Sequence, residues 1–323
     1  MGFTLMLGCK KGNQVHPSND GSVDLYVSGN SLTANNHSIA TYWKNGIPTK
    51  LGDTTLTFSR ATSITSDGAN VYAAGVVYYN SVMVPTFWKN GVETRLSNGS
   101  IDATVSGIVI NGADVYVVGS DSGTAAYWKN GVKVKLTYGA AYSTANSIAI
   151  NETDLYVAGS YTQPSGYSKA IYWKNGVAIP VVDTSKESSI NAITIYNSEI
   201  YMAGNTDYLS KATYWRNGAP VVVSNGSSTA IPYGIAINGS NIYMVGITVG
   251  ITQGGIDKFV ATVWKNGTPA RLTDESFGAS TAQAIALNGS DVYIAGDNGY
   301  WKNGVMTQFA ANAQTFGICL VAH

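Results

Sequence analysis

Hydrolysis of a glycosidic bond asks for two carboxyl groups about 5 to 9.5 Å apart. The acids that stand outside any repeated pattern in this chain include Asp102, Asp121, Asp183, Glu187, Asp257, Asp274, Glu275 and Asp297. Their positions in the sequence converge on no such pair. Asp274 and Glu275 are adjacent, and adjacent residues of a strand point to opposite faces. No Gly-x-Ser-x-Gly elbow, His-Glu-x-x-His motif or phosphate-cradling glycine loop is present. His16, His37 and His323 are scattered, and with Cys9 and Cys319 they lack the spacing of a zinc site. The sequence therefore carries no catalytic constellation and calls for no metal or cofactor.

The remaining chemistry is aromatic and polar, and it recurs. Asp24-Leu25-Tyr26-Val27-Ser28-Gly29 returns as segments starting at Asn70, Asp114, Asp154, Glu199, Asn241 and Asp291. Between these lies Trp-Lys/Arg-Asn-Gly, starting at Trp43, Trp88, Trp128, Trp173, Trp215, Trp264 and Trp301, which accounts for all 7 tryptophans. A ring of aromatic faces would suit sugar stacking. A Trp at one fixed place before a hairpin turn in every copy reads instead as packing between neighbouring units. The Lys or Arg after each Trp reads as a solvated turn residue, and the Asp or Glu before five of the Tyr, with Asn70 and Asn241 in the other two copies, as a turn organiser.

The elements that carry these residues follow from the turns. Asn-Gly between apolar runs is a strong hairpin signal, because a type I′ turn needs positive φ at both central residues. Each copy resolves into four short strands rich in Val, Ile and Tyr. In one copy they cover Ser147–Ile150, Leu155–Ala158, Ala170–Lys174 and Val177–Val182. Seven units of about 40 to 50 residues with four strands each predict an all-β chain, a closed seven-bladed β-propeller with four-stranded antiparallel blades. The first unit lacks its leading strand, and Phe316-Gly317-Ile318-Cys319-Leu320 matches Tyr233-Gly234-Ile235-Ala236-Ile237. A C-terminal strand over 316–321 is thus expected to complete the N-terminal blade. Cys319 would then be a small buried packing residue.

Variation between copies marks where a partner would be met. From each Trp to the next Tyr the spacing is 28 or 29 residues, whereas from Tyr to the Trp of its own unit it runs from 8 to 21. The variable segments join the second and third strands: Asn30–Ser38, Val76–Pro85, Ser160–Lys169, Asn205–Lys211 and Ile247–Lys258. Alternating strand direction puts them on one face, together with the links between blades. Function concentrates on variable connections held by a rigid scaffold. The ligand-binding candidates are Tyr78, Tyr79, Tyr161, Tyr167, Lys169, Asp207, Tyr208, Lys211, Asp257 and Lys258. Aromatic rings beside hydrogen-bonding groups suit a sugar or a protein surface.

Composition limits the partners. Nineteen basic and 19 acidic residues cancel, so no net field attracts nucleic acid. No apolar run reaches the ~20 residues of a spanning helix. Residues 1–9 (MGFTLMLGC) resemble the end of a bacterial lipoprotein signal, which makes Cys9 a lipidation candidate and 10–22 a polar tether before the propeller at 23–323. With its YVAG and YWKNG motifs, the chain over residues 23–323 is similar to bacterial secreted propellers, many of them lipoproteins. A weaker likeness is to propeller lectins. The resemblance implies a place at the bacterial cell envelope, lipid-anchored, or outside the cell, with membrane contact only through a lipid, and the propeller is expected to be a monomer. The expected function is non-enzymatic binding of a protein or cell-surface glycan through the variable face. The alternatives are a multivalent carbohydrate-binding lectin and a polysaccharide-active enzyme.

Overall fold

The computed structural model describes residues 22–98, 103–136, 139, 142–182, 187–224, 229–251, 257–273, 278–310 and 312–323. It contains seven four-stranded antiparallel sheets, and the fold is a seven-bladed β-propeller. Blade 1 pairs Ala313–Ala322, Val23–Leu32, Ser38–Lys44 and Ile47–Lys50 in that order. Blade 2 runs Ser59–Ser66, Val71–Tyr79, Val82–Lys89 and Val92–Arg95; blade 3 runs Ala103–Asn111, Asp114–Asp121, Thr124–Lys129 and Val132–Lys135. Blade 4 consists of Ser143–Asn151, Asp154–Thr162, Ser168–Lys174 and Val177–Pro180. Blade 5 consists of Ser188–Tyr196, Glu199–Thr206, Lys211–Arg216 and Ala219–Val222. Blade 6 consists of Ala230–Asn238, Asn241–Ile251, Asp257–Lys265 and Thr268–Arg271. Blade 7 consists of Ala284–Asn288, Asp291–Gly296, Gly299–Lys302 and Val305–Gln308.

The chain forms two compact units. One spans Leu136–Ile285 and holds blades 4 to 6; the other holds blades 1 to 3 and most of blade 7, ending at Ala286–His323.

Each repeated residue has a local physical cause. All seven Asn-Gly pairs adopt type I′ geometry, with Asn φ of 49 to 51° and Gly φ of 82 to 85°. The Asn also ties that turn back to the second strand. Asn175 donates its backbone N–H to Leu155 O at 2.8 Å, accepts Leu155 N–H on Oδ1 at 2.8 Å, and donates Nδ2 to Asp154 at 2.8 Å. The same three bonds recur in the other six blades. This is why the Asp-x-Tyr and Trp-Lys-Asn-Gly segments travel together.

The glycine closing each Tyr motif answers to a bulge. In blades 1 to 6 the first strand carries one extra residue, Phe316, Thr62, Ser106, Asn146, Asn191 or Tyr233, that has no partner on the second strand. Opposite it sit Gly29, Gly75, Gly119, Gly159, Gly204 and Gly246. A Cβ on any of them would collide with a first-strand carbonyl oxygen.

Blades join through apolar side chains and a small set of hydrogen bonds. The tryptophans are 0 to 3% exposed. Each of several meets the residue that leaves the preceding blade: Trp88 with Leu51, Trp128 with Leu96, Trp215 with Val181, Trp264 with Val223. Trp43 stacks on Phe309 at 4.8 Å. The packing role expected of the repeated Trp is what the structure shows. Buried serines at the blade entrances add a bond each, from Ala40 N–H to Ser59, Ala170 N–H to Ser188, and Ala261 N–H to Ser280, at 2.8 to 2.9 Å.

The C-terminal strand completes the N-terminal blade, pairing from Val23 with Ala322 to Ser31 with Ala313. It is longer than the expected 316–321, and Phe316 takes the same bulge position as Tyr233. Cys319 is fully buried opposite Tyr26, as the alignment with Ala236 implies. The other cysteine, Cys9, lies outside the described residues, as do the rest of the signal-like segment and tether up to residue 21.

Candidate functional site

The repeated polar residues are engaged inside their own blades. Lys44, Lys129, Lys174, Arg216 and Lys302 pair with Asp24, Asp114, Asp154, Glu199 and Asp291 at 2.7 to 3.0 Å. In all seven blades the cation also lies over the ring of the repeated Tyr, 5.1 to 5.7 Å from its centroid. This corrects the reading of these Lys residues as merely solvated: each is docked on an aromatic face. Lys174 and Asn175 hold the Asp154 carboxyl below its ordinary range, and Lys129 and Asn130 do the same for Asp114. The cluster is a structural staple with few free valences for a ligand.

The variable segments differ from the sequence picture in one respect. In blades 1, 2, 4 and 5 they are extensions of the second and third strands with short tips, not irregular loops. Blade 2 turns on Asn80 and Ser81, both at positive φ, after Val71–Tyr79 has run its full length. Apolar and β-branched residues continue the alternation past the point where the shorter blades turn, so the ladder simply lengthens. Backbone bonds tie these hairpins to the links entering the blades: Tyr78 N–H to Phe58 O, Thr162 N–H to Tyr142 O, Ala230 N–H to Leu209 O, and Ser280 N–H to Phe259 O, each 2.9 Å. Hairpins and links therefore share one face within each unit, as strand alternation requires.

In the unit of blades 4 to 6, several candidates come together. Tyr167 and Tyr208, from the tips of neighbouring blades, meet edge to face with centroids 5.9 Å apart. They remain 41% and 50% exposed. The hydrogen bond from Tyr167 raises the Tyr208 phenol above its usual value. Asp207, Tyr208 and Leu209 all hold positive φ, 51 to 68°, and the Asp207–Lys211 ion pair of 2.7 Å braces that turn. Tyr161 stands directly across the ladder from Lys169. In blade 6, Asp257 pairs with Ile251 and Lys258 with Gly250; the Asp257 side chain lies outside the description.

Tyr78 and Tyr79 belong to the other unit, 40% and 37% exposed. The Arg95 guanidinium lies 3.9 Å from the Tyr79 ring centroid. In the unit of blades 4 to 6, the exposed Tyr142, Leu209 and Phe259, at 63, 43 and 46%, were not singled out from sequence. Tyr142 lies in a link, and links were assigned to the same face, so its aromatic character was the available signal. Leu209 and Phe259 lay inside the named segments but are not polar-aromatic.

The off-repeat acids within the described residues are engaged or dispersed. Asp121 is buried and paired with Lys133 and Ser122. Asp102, Asp183, Asp274 and Glu275 lie outside the described residues. Among the described residues no group of three or more His, Cys, Asp or Glu side chains could hold a metal ion.

No protein-family model matches the chain, and no curated protein sequence matches it. Solved structures do. A puromycin-hydrolyzing peptidase of Mycobacterium tuberculosis superposes with a TM-score of 0.55 at 11% identity, over 90% of this chain and 52% of that one. Such a likeness shows the fold alone. The extracellular domain of a hybrid two-component system from B. thetaiotaomicron is similar at 10% identity and a TM-score of 0.45, over 81% of this chain and 33% of that one. The chain spans about half the length of the first protein and a third of the second.

Proposed function

We propose that this propeller is a non-enzymatic binding module that meets a protein or cell-surface glycan through its hairpin face. The carrying observation is a division of labour. The Asp, Tyr, Lys and Asn of the repeat are bonded within their blades, while the exposed aromatics Tyr142, Tyr167, Tyr208 and Phe259 lie on the hairpins and links. Half-exposed tyrosines bring large contact area at low conformational cost. A double variant, Tyr167→Ala with Tyr208→Ala, is expected to lose at least tenfold in capture of the partner from native envelope extract, with an unchanged unfolding midpoint. Equal capture by the variant would remove this face from the proposal. The lectin alternative rests on the same tyrosines, and a glycan array giving more than one bound sugar per chain would favour it.

The location proposed is the cell envelope or the exterior. The YVAG and YWKNG motifs, similar to those of bacterial secreted propellers, support it. Mass spectrometry of the native protein distinguishes the two. A diacyl or triacyl Cys9 is expected for the anchored form; an unmodified Cys9 would defeat the anchor and leave a secreted protein.

A further inference from the structure

One charged side chain has no counterpart in the repeat. Across the seven first strands, Arg60 is the only Asp, Glu, Lys or Arg. It lies at the start of Ser59–Ser66, paired with Val76, at the end of blade 2 where the link and hairpin meet. The corresponding residues of the flanking first strands are Gln314 in blade 1 and Thr104 in blade 3, both exposed.

The guanidinium is partly buried, stacked over Phe316 with its carbon 5.2 Å from the ring centroid. Its Nε is buried and has no hydrogen-bond partner, and among the described residues no carboxylate pairs with it. The contrast with the other three arginines of the chain helps. Arg216 is clamped on Glu199 and Arg95 on Glu93, and Arg271 is engaged as well. Burial pulls the Arg60 pKa below its ordinary value with nothing to offset it, although the group stays protonated. A partly desolvated, uncompensated guanidinium costs free energy that an incoming anion would offset.

We infer that Arg60 is the anchor of a site for a small hydroxylated carboxylate, such as an acidic monosaccharide. One cation matches a monovalent carboxylate better than a phosphate dianion, and the planar fork accepts a carboxylate bidentately. Phe316 fixes the guanidinium plane, Gln314 stands at the corresponding place of blade 1 to meet hydroxyl groups, and Thr104 at that of blade 3 turns its hydroxyl to Ser120 at 2.7 Å. All four residues belong to the unit of blades 1 to 3 and 7, and the site does not rest on the hairpin reading.

The test uses the full chain with glucuronate, glucose and sodium chloride at matched ionic strength, read by calorimetric titration. Glucuronate is expected to bind with a Kd on the order of millimolar, and glucose at least tenfold more weakly. Arg60→Gln should lose at least tenfold for glucuronate. A second readout needs no variant: phenylglyoxal modification of Arg60, mapped by mass spectrometry in the wild-type chain, should slow at least threefold in saturating glucuronate but not in chloride or glucose. Absent glucuronate binding, equal binding of glucose, or an Arg60→Gln variant that binds as wild type would overturn the site. If the variant does not fold, unprotected Arg60 in the phenylglyoxal measurement overturns it alone.

Discussion

Asp154 shows how one residue's chemistry is consumed by the fold. Its carboxylate takes Lys174 at 2.7 Å and Asn175 at 2.8 Å, and those contacts keep it ionised well into the acid range. Asp114 with Lys129 and Asn130, Asp291 with Asn303 and Lys302, and Glu199 with Arg216 and Tyr201 behave alike. At Asp24 burial alone would raise the value, but Lys44 and Asn45 outweigh it. Each of these groups titrates lower in the folded chain than in the unfolded one, so the unfolded chain binds more protons as pH falls. Their stabilisation is complete above about pH 5 and is lost as pH drops through about 4 toward the folded values. The thermal midpoint should therefore fall between pH 5 and 2.5, and Asp154→Asn should reduce that slope, with a slightly lower midpoint than wild type at pH 7 and the same midpoint at pH 2.5. Blades 2 and 6 already carry Asn70 and Asn241 at this place, which is why Asn is tolerated. A slope unchanged by this substitution would show that the pair carries none of the acid sensitivity.

At the scale of the element, the bulge and its glycine set the shape of each blade. Gly159 faces the carbonyl of Thr144, and the methyl of Gly159→Ala has no space there. Either the ladder slips or the first strand moves away, at a cost of about 3 kcal/mol. Urea unfolding at pH 7 should show that loss for Gly159→Ala, whereas Gly112→Ala, at a turn with nothing near its Cβ, loses only the strain of φ 60°. Equal losses at the two positions would mean that the bulge does not need its glycine. The Asn-Gly turns, the strand number and the completing strand were all legible in the sequence, because turn chemistry and repetition are local signals. The bulge was not. One unpaired residue leaves the apolar alternation almost unchanged, and only pairing reveals that Tyr233 and Phe316 stand outside the ladder. The hairpin extensions were read as loops for a related reason. Tyr78 and Tyr79 look like loop aromatics, yet they continue a ladder whose partners, Met83 and Val82, are just as strand-like.

At the scale of the molecule, the candidate site was legible by face but not by contact. Length variation located the hairpins, and strand alternation put the links beside them. That Tyr167 and Tyr208 touch, or that no carboxylate among the described residues pairs with Arg60, depends on which blades are neighbours at which height, and spacing within one repeat carries no such information. All of this assignment depends on equal sheets whose first member is split between the chain ends. Ile318, Cys319, Leu320 and Val321 bury themselves in the last strand, between 0 and 8% exposed. At roughly 1.5 to 3 kcal/mol for a fully buried large apolar side chain, losing them removes a large share of the 5 to 15 kcal/mol by which a typical domain is stable. The most direct measurement is thermal unfolding of the full chain against a chain ending at residue 312. The expected result is loss of the cooperative transition, or a fall in its midpoint of at least about 10 °C. A truncated chain that unfolds at the full-length midpoint would contradict the split blade and, with it, the face on which a partner is met.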